Sequence, residues 1–224
     1  MLDEFKRKAV GFISKQPRND FEWLFIMQHY GAPTRLLDWS TNALVALYFA
    51  LQKNVPEKPK SQEKQSANDE FLEREFSERG AVVFIINPAT INDTMHDIPY
   101  PIDVSDKYEE WQHYVRPMES GTKMSYLPIC ILATHIDQRI RSQSGVFTLH
   151  GANIWPLDYY TDLRDKIYKI FISYENLPKM KQELCYLGMT TSFIFPDLSG
   201  IAAEITQFES EMFKTRMQSV KYKS

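Results

Sequence analysis

The chain has 224 residues, 43% of them hydrophobic, and a formal net charge of -3 from 26 Lys and Arg against 29 Asp and Glu. That length suggests one domain, or one domain with an insertion, and can bury a sizeable core. The slight acidic balance argues against a general nucleic-acid binder, which carries a basic excess or stripe, and leaves room for a local basic pocket.

No apolar run approaches membrane-spanning length, and Met1–Val10 is charged and lacks a signal core. The two cysteines, Cys130 and Cys185, lie in apolar contexts without CxxC spacing. Both read as buried structural thiols in a reducing compartment. The expectation is a soluble, cytoplasmic protein without membrane contact.

Leu2, Phe5, Ala9 and Phe12 recur at helical spacing and predict an amphipathic helix over 2–15. Asn19 and Glu22 have capping-box spacing and open a second helix, which Gly31 and Pro33 end. Residues 34–39 read as extended. Ser40, Thr41 and Asn42 can cap a helix over 43–52 that is apolar nearly all round, hence central and buried. Residues 53–80 read as an exposed insertion, mobile over 56–68. A strand over 81–87 stops at Pro88, and 90–104 reads as a loop. A helix over 105–115, strands over 127–133, 145–150 and 167–173, and helices over 175–187 and 193–209 follow, with Pro196 in the first turn of the last. Helices and strands do not alternate strictly, so the class is α+β, a mixed sheet flanked by helices.

Several chemistries have no carrier here. There is no Gly-rich phosphate loop and no GxSxG elbow, and the five histidines do not form HExxH or a ligand pair, so no metal site is expected. Asp103, Asp106, Glu109 and Glu110 read as a solvated helix face and its cap rather than metal ligands. The dense polar segment is Gln28-His29-Tyr30-Gly31-Ala32-Pro33-Thr34-Arg35-Leu36-Leu37-Asp38-Trp39-Ser40. His29 stands at a helix C-terminus, where the dipole favours its charged form. Arg35 offers a planar fork for phosphate or carboxylate. Extended geometry puts Arg35, Leu37 and Trp39 on one face and Thr34, Leu36 and Asp38 on the other. From the residues alone a purely structural use is the favoured reading: Arg35 pairing with Asp38, and His29 bonding a backbone carbonyl.

This segment, with Trp23-Leu24 before it and Ala46-Leu47-Tyr48-Phe49-Ala50 after it, resembles the central signature of the FRG domain, an intracellular and mostly microbial family. Arg139-Ile140-Arg141-Ser142-Gln143-Ser144-Gly145-Val146-Phe147-Thr148 resembles the family's later strand, and Phe195-Pro196-Asp197-Leu198-Ser199-Gly200 its C-terminal element. The resemblance implies one domain over 1–205 with the insertion at 53–80, followed by a helical tail over 206–224. The name-giving Phe-Arg-Gly is absent; the chain begins with the helix that normally follows it, which implies a truncated start or a member without that strand.

The arrangement also resembles an ADP-ribosyltransferase-like scaffold at the level of fold. That likeness implies NAD as a substrate rather than a resident cofactor, in a transferase or NAD-cleaving enzyme of bacterial toxin or antiviral systems. Arg35 would hold phosphate, and Tyr30 or Trp39 would stack on a ring. Thr34 and Phe147 would complete the nucleotide site. His29 or Asp38 would orient ribose or move a proton, and Gln143 would bond a ribose hydroxyl. The competing reading is a non-catalytic module that binds a nucleotide or a protein partner.

Overall fold

The structure is a computed structural model that describes residues 1–13, 15–52, 66–105, 108–116, 125–134 and 137–221. Its elements in chain order are α1 (Leu2–Ala9), α2 (Asp20–His29), β1 (Leu36–Ser40), α3 (Ala43–Ala50), α4 (Ala67–Arg74), β2 (Gly80–Ile86), α5 (Pro88–His96), β3 (Ile102–Asp103), α6 (Tyr108–Trp111), β4 (Ile129–Leu132), α7 (Gln138–Ser142), β5 (Gly145–Leu149), β6 (Ile167–Ser173), α8 (Leu177–Tyr186), α9 (Thr191–Ile194) and α10 (Leu198–Lys221). The fold is α+β, and its larger sheet is mixed. The strand order is β1-β5-β4-β3, with β1/β5 and β5/β4 antiparallel and β4/β3 parallel. β2 and β6 form a separate two-stranded sheet.

The chain divides into two compact units, each assembled from three segments. The first comprises Met1–Thr41, Phe84–Ile136 and Gly145–Ile170; the second comprises Asn42–Val83, Asp137–Ser144 and Phe171–Ser224. The first holds the mixed sheet. Strand side chains alternate between faces, so Phe147 stacks on Phe25 of α2 at 5.0 Å, while Trp39 packs on the other face against Ile91, Cys130, Leu157 and Leu163. Burial pushes the Cys130 thiol up to about 11, as expected of a core thiol. Cys185 is exposed, against expectation.

The second unit is built on Val45, Tyr48, Leu51, Ile172, Leu177, Leu184 and Ile194. α3 is less buried than its composition suggested: Val45 and Tyr48 are inside, but Phe49 is exposed. Of the expected insertion, 53–65 lie outside the described residues. The remainder contains α4, anchored by the buried Ala67, by Phe71 stacked on Phe171 at 4.6 Å, and by Glu70 accepting from Ser77 and Arg79.

Two helices depart from the sequence reading because of proline. Pro88 does end a strand, but it also starts α5: Asn87 Oδ1 accepts from the Ala89 and Thr90 amides, and proline at the first helical position lacks only an N–H that has no partner there. Pro196, expected inside a helix beginning at 193, instead separates α9 from α10. It pushes Phe195 out of helical geometry (φ -118°, ψ 84°), and Asp197 caps the restarted helix by accepting from the Gly200 amide.

Candidate functional site

The dense polar segment is shaped first by how α2 ends. Asn19 caps its start by accepting from the Glu22 amide at 3.0 Å. Glu22 reaches back to the Arg18 amide and guanidinium, a variant of the expected capping box. At the other end Gly31 takes φ +75°, which glycine adopts without steric penalty. Its amide bonds Gln28 O and the Ala32 amide bonds Met27 O, the paired closure of a Schellman turn. That turn fixes the direction in which the chain enters β1.

A chain of hydrogen bonds then ties α2 to β1. The Leu36 amide donates to Thr34 Oγ1 at 3.1 Å, Thr34 Oγ1 donates to Gln28 Oε1 at 2.5 Å, and Gln28 Nε2 donates to Asp38 Oδ2 at 2.8 Å. Gln28 is the residue that sequence reasoning overlooked. It lies inside the motif, but a neutral amide attracts less notice than the charged and aromatic groups around it. Asp38 is exposed. Tyr30 is 74% exposed, and its ring meets that of His29 edge-on at 4.8 Å.

Arg35 points elsewhere. Its Nη1 donates to His150 O and to Gly151 O at 3.0 Å, and its Nη2 to Tyr114 O and to Val115 O at 3.2 Å. The Arg35 carbonyl in turn accepts from the His150 amide at 2.9 Å, which extends the β1/β5 ladder. Burial lowers the Arg35 pKa, yet a guanidinium stays charged at any working pH. Gly151 is needed here, because a Cβ would fall 2.4 Å from Ser125 O. Arg35 thus joins the 114–115 and 150–151 segments through their carbonyl dipoles.

His150 Nδ1 is buried without a hydrogen-bond partner among the described residues. Burial, reinforced by the Arg35 charge, pushes its pKa below the ordinary 6.5. A depressed histidine pKa means that the unfolded chain takes the proton first. The associated stability is therefore complete above pH 6.5 and is lost as pH falls below it, towards the folded-state pKa. Urea unfolding at stepped pH should show a loss of stability as pH falls below 6.5 in the wild type and a flatter curve in His150→Gln. An unchanged slope in the variant would assign that loss to other groups.

The remaining predicted residues have other partners. Trp39 and Phe147 lie in the packing on opposite faces of the β1/β5 ladder; Phe147 is buried, and Trp39 Nε1 is buried without a hydrogen-bond partner among the described residues. Gln143 belongs to the second unit, where its Nε2 donates to Ile194 O at 3.2 Å, a carbonyl that also accepts from Ser142 Oγ. In that unit the Arg139 guanidinium lies 4.5 Å from the Phe195 ring centroid. Hydrogen bonds from Ser199 and Gly200 hold the Asp197 carboxyl below its usual range. The two downstream motifs therefore meet each other. Among the described residues, no three or more His, Cys, Asp or Glu side chains are grouped to hold a metal ion, and no helix is long and apolar enough to cross a membrane.

The segment that carries this geometry is also the one that relates the chain to known proteins. Residues 1–59 match the FRG domain. The FRG match takes in α1, α2, β1 and α3, and with them the Schellman turn, the Thr34–Gln28–Asp38 chain and Arg35. It leaves out β5 and the Phe195-Pro196-Asp197 element. No curated protein and no solved structure matches the chain.

Proposed function

We propose that residues 28–40 form a non-catalytic surface that binds a nucleoside-containing ligand. The observation that carries this reading is the engagement of Arg35 by four backbone carbonyls, while Tyr30 and Asp38 face solvent. Arg35 then serves as scaffold rather than as the phosphate clamp of an NAD-using enzyme. Tyr30 offers a ring face to a base, and Asp38, oriented by Gln28, accepts from ribose hydroxyls. Gln143 adds support: its neutral amide cannot stabilise an oxocarbenium-like charge as a carboxylate does.

Calorimetry with ADP-ribose, NAD and ATP tests the surface. At least one ligand should bind the wild type, and Tyr30→Ala and Asp38→Asn should each weaken it about tenfold, the scale of one lost stacking or charge-assisted contact. Failure of all three ligands to bind would reject a nucleotide surface. The same protein incubated with NAD should release no nicotinamide. Release would replace this reading with an NAD-cleaving enzyme of the ADP-ribosyltransferase-like kind.

A further inference from the structure

Helix α10 shows a second surface, independent of residues 28–40. Its start is fixed within its own unit: Asp197 caps it, Gly200 lies so close to Phe195 that a Cβ would fall 1.9 Å from the Phe195 carbonyl oxygen, and Glu204 accepts from the Ser192 amide at 2.7 Å. Beyond these ties, about 3.6 residues per turn align Ile201, Ile205, Phe208 and Met212 in one stripe, with the 4-3-4 spacing of a helix–helix seam. These side chains are exposed, Ile205 by 58% and Phe208 by 59%. A row of solvated apolar groups marks an interaction face. Its flanks are acidic: Glu204 lies on one side by helical geometry and Glu209 on the other.

We infer that α10 docks a basic amphipathic helix of a partner protein, apolar along its seam and rich in Lys or Arg beside it. The flanking charges decide the occupant. A second copy of this chain, seated in parallel with its own stripe against this one, brings Glu204 opposite Glu209. Like charges at these flanking positions disfavour pairing, and opposite charges select a partner.

The test uses the full chain and a synthetic peptide of about 20 residues built from Leu-Lys-Lys-Leu-Leu-Lys-Leu repeats, a length matched to helix-in-groove ligands. A second peptide with Glu in place of every Lys is the comparison. The lysine peptide should bind, and its Kd should weaken about tenfold from low to high salt as screening removes the flanking attraction. Ile205→Ser with Phe208→Ser should weaken it by a further factor of about ten or more, and Glu209→Lys by several fold, since the first removes seam area and the second inverts a flank. Thermal melting should stay unchanged in both variants, because these side chains are exposed. Three results would overturn the inference: no binding of the lysine peptide, equal binding of both peptides, or a wild-type dimer in sedimentation that the double serine variant dissolves. The last would assign the stripe to a second copy.

Discussion

Arg35→Ala should lose roughly 3–5 kcal/mol of stability, the largest effect expected from any change in the polar segment. The guanidinium donates to the carbonyls of Tyr114, Val115, His150 and Gly151. Hydrogen bonds from a charged donor are stronger than neutral ones, and partly buried acceptors left without partners lose their solvation as well. Water entering the vacated volume recovers part of this, which keeps the total below four full bonds. For a chain of this size the loss corresponds to a melting-temperature fall of about 6 to 20 °C. Arg35→Lys should fall between wild type and alanine, because one ammonium cannot reproduce a planar fork that addresses four acceptors. Scanning calorimetry of both variants decides the matter. A shift in Arg35→Ala equivalent to less than about 1 kcal/mol would show that the clamp contributes little, and would return Arg35 to the list of ligand-binding groups.

Asn92→Leu should cost about 3–4 kcal/mol, although it fills nearly the same volume. Asn92 is fully buried on α5. Its Nδ2 donates to Tyr100 O and to Cys130 O, both at 2.9 Å, and its Oδ1 accepts from the Cys130 amide at 2.7 Å. The side chain therefore pairs with Cys130 as a neighbouring strand would, just before β3 begins its own pairing with β4 at Ile102. Leucine leaves an amide and two carbonyls of the interior unmatched. Asn92→Asp gives a pH signature. The carboxylate would face two carbonyl oxygens, so burial and repulsion raise its folded-state pKa above the usual value of about 4. The protonated acid can still donate one bond. Relative to wild type, this variant should lose stability as pH rises from about 4 to its own raised pKa, then stay low. Chemical denaturation at stepped pH reads this directly, and a pH-independent difference would show that the carboxyl escapes burial.

What could be read from the residues themselves was local. Asn19, Glu22 and Gly31 announce both ends of α2, and the β-branched runs announce β2, β4, β5 and β6, because caps and periodicity act over a few positions. Pro88 was misjudged because proline both ends strands and begins helices, and only the preceding Asn87 separates the two. The polar segment was conspicuous, but the partners of Arg35 were not: backbone carbonyls have no residue type and leave no mark in a sequence. Asn92 was hidden for the same reason, inside a stretch that reads as loop. The division into two units left little trace either, since two of its five boundaries fall inside β2 and β6 rather than between elements.

The pairing of β1 with β5 constrains how the chain can fold. Leu36 is matched with Leu149 and Ser40 with Gly145, and the Arg35 clamp reaches His150, 115 positions along the chain. Closing so long a loop precedes any reward from the contacts it makes, which slows folding relative to local hairpins. During synthesis at roughly 5–20 residues per second, β1 has no partner strand for several seconds or more. Over that interval its unpaired edge is a template for non-native association. The 1–59 stretch, although it forms a recognisable unit of sequence, is therefore not a unit of folding: expressed alone it lacks the strand that completes it.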